Sequence, residues 1–135
     1  MPTATTTGIQ KIGTVCVGIS DTDQAIDFYV NKLGLTKTTD VPFGPPEHGM
    51  RWVEVATEGA ETTIALAPPP PGGEAGNANT GIALQTDDVD ATHAALKEAG
   101  VDVDDEVSRM GDPVPPMFWL RDPEGNSLFV VERTD

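Results

Sequence analysis

Cysteine and positive charge are what this chain of 135 residues has least of. Cys16 is its only cysteine, which excludes an intrachain disulfide and a cysteine-built zinc cluster. Eight lysines and arginines stand against 22 aspartates and glutamates, a formal net charge of −14. Binding to nucleic acid or an anionic membrane needs a basic face, so neither is expected as a partner, and the acidity is read only as a soluble surface. No apolar run approaches the ~20 residues of a membrane span. The threonine-rich start, Met1 to Thr7, lacks the basic and apolar regions of a secretory signal, and a cytoplasmic home is expected. Histidine is scarce too: His48 falls in a turn-rich loop and His93 on the outer side of a helix, both read as surface residues. The length suits a single domain, 8–135, with a core of its own.

What the chain does have is one pattern written twice. Thr14-Val15-Cys16-Val17-Gly18-Ile19-Ser20-Asp21 leads into a helix ending near Gly34, and Gly81-Ile82-Ala83-Leu84-Gln85-Thr86-Asp87-Asp88 into one ending near Gly100. Asp21 and Asp88 are 67 residues apart, and the two glycines 66. A repeat of this length marks supersecondary units that cannot bury their apolar faces alone. Asp21 is placed to cap the first helix, with Gln24 at the capping-box position. Ala25, Ile26, Tyr29, Val30 and Leu33 form its apolar stripe, and Val89, Thr92, Ala95, Leu96 and Ala99 repeat that stripe in the second helix. The glycines allow the left-handed turns that end each helix. Strands are expected over 35–41, 50–56 and 62–67 after the first helix, and over 101–107, 116–121 and 127–132 after the second. Each half therefore reads β-α-β-β-β, module one over 11–67 and module two over 80–133. The Pro/Gly-rich linker over 68–79 is stiff, then flexible, and has no core of its own.

Paired β-α-β-β-β modules, the segment Ile26-Asp27-Phe28-Tyr29 followed by Leu33-Gly34-Leu35, and the hairpin Asp122-Pro123-Glu124-Gly125-Asn126 resemble the vicinal oxygen chelate superfamily. That group includes glyoxalase I, extradiol dioxygenases, methylmalonyl-CoA epimerase, and the fosfomycin- and bleomycin-resistance proteins. The resemblance runs from about Gly13 to Glu132 and implies an α+β fold whose modules pair into a curved, barrel-like mixed sheet. It also implies a divalent metal held by His on the first strand of each module and by Glu on the last. The corresponding positions here are Thr14, Gly81, Ala65 and Phe129, and their neighbours offer no His, Asp or Glu either. No metal and no cofactor are expected. Phe28 and Tyr29 are read as core, and the Pro-Glu-Gly segment first of all as a turn.

Strand alternation puts Trp52 and Glu54 on one face and Val53 and Val55 on the other. If the valines face the helix, Trp52 and Glu54 face a cavity. There Glu54 would accept a ligand hydrogen bond or act as a general base with a raised pKa; an exposed edge-strand acid, or a partner to Arg51 or Arg121, is the plain alternative. The same phase brings Thr14, Cys16, Gly18, Thr63, Ala65, Gly81, Ala83, Gln85, Phe129 and Val131 to the cavity, with Met117 and Phe118 or Trp119 at the rim. Cys16 is read as a small buried hydrophobe, because nothing basic is near to activate it. Apolar walls with a few polar anchors suit a small organic molecule. The expected ligand contacts are Thr14, Cys16, Trp52, Glu54, Gln85, Trp119 and Phe129. Two functions remain open: a metal-free binding protein for an aromatic or antibiotic-like molecule, and a lyase, isomerase or dioxygenase-like enzyme using Glu54 or a non-standard metal site. One module leaves its sheet open on one side, so a homodimer is expected to close the cavity.

Overall fold

A computed structural model describes residues 7–69 and 72–133. Most of the Thr-rich start, Pro70 and Pro71 of the linker, and the last two residues lie outside that description.

The elements run β1 (Thr14–Gly18), α1 (Thr22–Ile26), β2 (Thr36–Pro42), β3 (Arg51–Ala56), β4 (Thr63–Ala67), β5 (Asn79–Thr86), α2 (Val89–Glu98), β6 (Asp102–Val103), β7 (Met117–Arg121) and β8 (Ser127–Glu132). Both helix starts form as their aspartates dictate. The Asp21 carboxylate accepts from the Gln24 N–H, and that of Asp88 from the Ala91 N–H, each at 3.0 Å, satisfying donors that the first turn leaves without partners.

The repeat carries through to topology. One sheet has the order β1-β4-β3-β2 and the other β5-β8-β7-β6. The first strand of each is parallel to the last, and the remaining pairs are antiparallel. The fold is thus α+β, with two mixed four-stranded sheets of the same plan. β1 and β5 each lie at the edge of their own sheet.

One face of each sheet is covered by helix. Val53, Val55 and Leu66 on the first sheet, and Phe118, Leu120 and Leu128 on the second, are fully buried in a single continuous core with Tyr29 and Val89. The first helix departs from the simple stripe. Beyond Ile26 it widens into a π-helical stretch, Asp27–Lys32, where the Leu33 N–H reaches back five residues to Phe28 O. This rotation buries Phe28 beside Tyr29, their rings edge-on at 5.1 Å, and leaves Ile26, Val30 and Leu33 only partly buried. In α2, Val89 and Leu96 are buried as expected, while Ala95 is exposed.

The strand expected over 101–107 shrinks to Asp102–Val103. Asp104 is the reason. Its carboxylate takes the Trp119 N–H at 3.1 Å and the Arg121 guanidinium at 2.7 Å, while its own carbonyl turns to His93 Nε2 at 2.6 Å. A side chain does there what the next ladder carbonyl would have done.

The hairpin at 122–126 does more than turn the chain. The Asp122 carboxylate accepts from the N–H groups of Glu124 and Asn126, from Asn126 Nδ2 and from the Tyr29 hydroxyl of module one. Buried Asn126 donates to Gly18 O at 3.0 Å and accepts from the Ala78 N–H. Glu124 crosses to module one, where its carboxylate receives the N–H groups of Ser20 and Asp21 and the Ser20 hydroxyl. The linker threads between these contacts. Gly125 has φ +84°, a left-handed backbone that glycine adopts without strain, and a Cβ there would also displace the tip of the Asn77 side chain.

Candidate functional site

The phase inferred from alternation holds. Val53 and Val55 are fully buried, so Trp52 and Glu54 project from the opposite, uncovered face of β3. Register sets Glu54 opposite Ala65 on β4 and Val41 of β2 opposite Trp52. On this face Glu54 is fixed by two neutral donors: Trp52 Nε1 at 2.6 Å on one carboxylate oxygen and Thr63 Oγ1 at 2.7 Å on the other. Thr63 is in turn 3.0 Å from the Thr14 hydroxyl. The Phe43 ring stands edge-on to Trp52 at 6.4 Å.

These contacts correct the expectation of a raised Glu54 pKa. The Trp52 N–H, followed by the Thr63 hydroxyl, holds the carboxylate below its ordinary value against a smaller opposing effect of burial. Donors that stabilise the charged form make a weaker base. The alternative of an ion pair is also closed. Arg51 forms a two-point pair with Asp40 and reaches Asp23, and Arg121 is taken by Asp104.

Cys16 is exposed, contrary to its reading as a buried hydrophobe. It lies between Thr14 and Gly18 on the side of an edge strand away from the buried Val17. His93 is not solvated as expected: besides its contact with Asp104, its ring packs edge-on against the fully buried Phe118 at 4.8 Å. His48 does lie exposed, in the short helical turn Pro46–His48.

The uncovered face of the second sheet carries Trp119 opposite Phe129, ring centroids 4.9 Å apart. Gln85 is exposed on β5. Trp52 and Trp119 are the chain's two tryptophans and stand 67 residues apart, the spacing that separates the two helix caps. By register they are not counterparts: Trp119 pairs with Phe129 on β8 as Glu54 pairs with Ala65 on β4, so Trp119 stands in the place of Glu54, and Trp52 lies two residues earlier on the same face of its strand.

The four positions at which the resemblance implies metal ligands do not suit one. The Thr14 hydroxyl is engaged with Thr63, Ala65 and Gly81 offer no side-chain donor, and Phe129 is an apolar ring packed at a tilt against Trp119. Among the described residues, no group of three or more His, Cys, Asp or Glu is placed to hold a metal ion.

The expected contacts are not all brought together. An open cleft of about 760 Å³ runs along β5, walled by Val15, Leu35 and Ile64 from module one and by Ile82, Leu84 and Gln85 from module two. Of the seven expected contacts only Gln85 lines it. Thr14, Cys16, Trp52 and Glu54 lie on one sheet and Trp119 and Phe129 on the other. Sequence reasoning passed over Phe43, a lone aromatic in a segment otherwise made of turn residues, and Asp104, which looked like one surface acid among many.

A family model described as glyoxalase/bleomycin resistance protein/dioxygenase superfamily matches residues 11–129. The chain belongs to that superfamily. Among curated proteins it is 30% identical over 129 residues to the uncharacterized protein YetH of Bacillus subtilis, covering 92% of this chain and 99% of that one. TnmS3, an antibiotic binding protein from Streptomyces sp. CB03234, superposes with a TM-score of 0.79 at 35% identity, over 93% of this chain and 98% of TnmS3. A superfamily member from Sphaerobacter thermophilus gives a TM-score of 0.81 at 35% identity, with the same coverage. Membership accounts for the paired modules, and the chain keeps that frame with residues at the four usual ligand positions that do not suit a metal ion. No helix among the described residues is long and apolar enough to cross a membrane.

Proposed function

We propose that this superfamily member binds a flat organic molecule, aromatic or antibiotic-like, without a metal at the four usual positions. Trp52 and Glu54 hold one side of the ligand, Trp119, Phe129 and Gln85 hold the other, and Thr14 and Cys16 line the strand beside Glu54. The observation that carries this reading is one tryptophan on the face of each sheet turned away from the buried core, each beside a second aromatic ring. Large amphipathic rings left on a surface mark recognition sites. The antibiotic binding named for TnmS3 supports it.

The two aromatic clusters lie on different sheets, and we propose a homodimer in which a sheet of one copy closes over a sheet of the other. The unpaired edges of β1 and β5 support this, as do Ile9 and Ile12, 72% and 71% exposed just before β1. Exposed edges and apolar side chains are surfaces that proteins cover. A cytoplasmic setting with a small-molecule partner completes the proposal.

A thermal-shift screen of planar aromatic antibiotics, with 2-oxo compounds as the contrasting panel, tests it. A ligand at about 100 times its Kd adds about 2.7 kcal/mol of stability, a rise of several degrees for a domain of this size. The reading stands if planar aromatics raise Tm and quench tryptophan emission. It falls if none does and a 2-oxo compound is turned over instead.

A further inference from the structure

We infer that the molecule held against Trp52 carries a positively charged hydrogen-bond donor, a protonated amine on an aromatic frame, and that this group docks on Glu54. The inference rests on the binding reading above and narrows its ligand class.

The argument begins with what surrounds the carboxylate. Its two hydrogen-bond partners, Trp52 and Thr63, are both neutral donors. A carboxylate has about four acceptor positions, so room remains for a ligand. The nearby cations are committed elsewhere: Arg51 and Lys37 both pair with Asp40. Among the described residues no ion pair includes Glu54. Among the described residues it is therefore a fixed, part-exposed negative charge without a counter-ion, on the sheet face turned away from the buried valines.

A ligand stacked on Trp52 strips water from that charge. A neutral donor returns a hydrogen bond without the opposite charge and an anion adds repulsion, whereas an ammonium returns both a hydrogen bond and the neutralising charge. The indole reinforces the choice. Its N–H is tied to the carboxylate, which fixes the ring, and the faces of a tryptophan ring attract cations. The same geometry argues against a protein-bound ion here, because Thr63 and Trp52 point protons, not lone pairs, at the carboxylate. The site selects its ligand as much by the anions it rejects as by the cations it accepts.

Two planar tricyclic probes of opposite charge test this: proflavine, a cation, and anthraquinone-2-sulfonate, an anion. Both are titrated calorimetrically into the full chain at physiological ionic strength, which screens the general attraction of an acidic protein. Proflavine is expected to bind about tenfold tighter or more, with Glu54→Gln weakening it by a similar factor. Glu98→Gln removes the same charge from an exposed position on α2, and should leave proflavine within about twofold of wild type. Equal affinities for the two dyes in wild type overturn the inference, as does an equal loss in the two variants. Should Glu54→Gln fail to fold, the wild-type comparison of the dyes decides alone. The underlying reading fails separately. Two dyes that bind equally, and are both lost in Trp52→Ala, sink the charge preference and keep the aromatic site, whereas two dyes that do not bind at all sink both.

Discussion

The Tyr29 hydroxyl donates to Asp122 Oδ2 at 2.9 Å, joining a helix of the first module to the last hairpin of the second inside the core. Burial first, and the neighbouring Asp122 carboxylate second, push the phenol far above its ordinary pKa, so it stays a donor at any working pH. Tyr29→Phe keeps the ring and removes only the hydroxyl. The expected loss is about 1–3 kcal/mol, read from the midpoint of denaturant unfolding. An unchanged midpoint would show that the donors of Glu124 and Asn126 suffice for the aspartate.

Glycine substitutions separate strain from crowding. Gly34 has φ +82° with open space around it, whereas Gly76 has φ +87° with the Glu124 backbone carbonyl against it. Gly34→Ala should cost about 1–2 kcal/mol, the left-handed backbone penalty alone. Gly76→Ala should cost clearly more, because the backbone of the linker or of the hairpin must also move. Equal losses in thermal unfolding would mean that the linker yields freely.

Trp52→Ala should leave circular dichroism and Tm close to wild type, since the core rests on the opposite face of the strand. An aromatic anchor typically contributes on the order of 2 kcal/mol or more to binding, so a planar ligand's Kd should rise at least roughly thirtyfold. A full-affinity variant would move the site elsewhere.

Acid should act through Glu124. Burial alone would raise its pKa, but the N–H groups of Asp21 and Ser20 and the Ser20 hydroxyl bring it below the ordinary glutamate value. A carboxylate depressed in the folded state stabilises the fold above its unfolded pKa of about 4.5, and loses that contribution as pH falls through the lower folded value. Wild-type stability should therefore decline as pH drops below that range, and Glu124→Gln should show a flatter decline from a lower plateau. Parallel curves for the two proteins, measured by urea unfolding across acid pH, would remove Glu124 from the account.

Light scattering at micromolar concentration should return twice the 14.2 kDa of one chain. A monomer mass would count against sheets closing over each other between copies.

The parts of this fold legible in the sequence are the parts decided locally. Asp21 and Asp88 cap the helices they precede, Gly34 and Gly100 end them, and the period of two in Arg51–Ala56 sets which side chains share a face with Trp52. Position 104 was not legible, because the carboxylate that ends β6 acts on Trp119, fifteen residues on. The partial exposure of Ile26, Val30 and Leu33 was hidden for a related reason: a π-helical turn breaks the 3.6-residue spacing from which the stripe was read. At the candidate site, grouping Trp52 with Glu54 needed only alternation. The sign of the Glu54 pKa shift needed the rotamers of Trp52 and Thr63. Cys16 was misplaced because periodicity tells which residues share a sheet face, and not whether anything lies over it.

Helix α1 has five residues before it widens, far short of the dozen or so that make an isolated helix even marginal in water. The carboxylate covering the N–H groups at its entrance belongs to Glu124, 104 residues beyond Ser20 in the chain. A fragment holding only the first repeat would lose that cap and leave the Tyr29 hydroxyl without its buried acceptor. Heating should accordingly give one calorimetric transition in place of two, with the calorimetric and van't Hoff enthalpies in agreement. Opening of α1 seen by hydrogen exchange should slow or quicken with mutations in a hairpin that is remote from it in sequence.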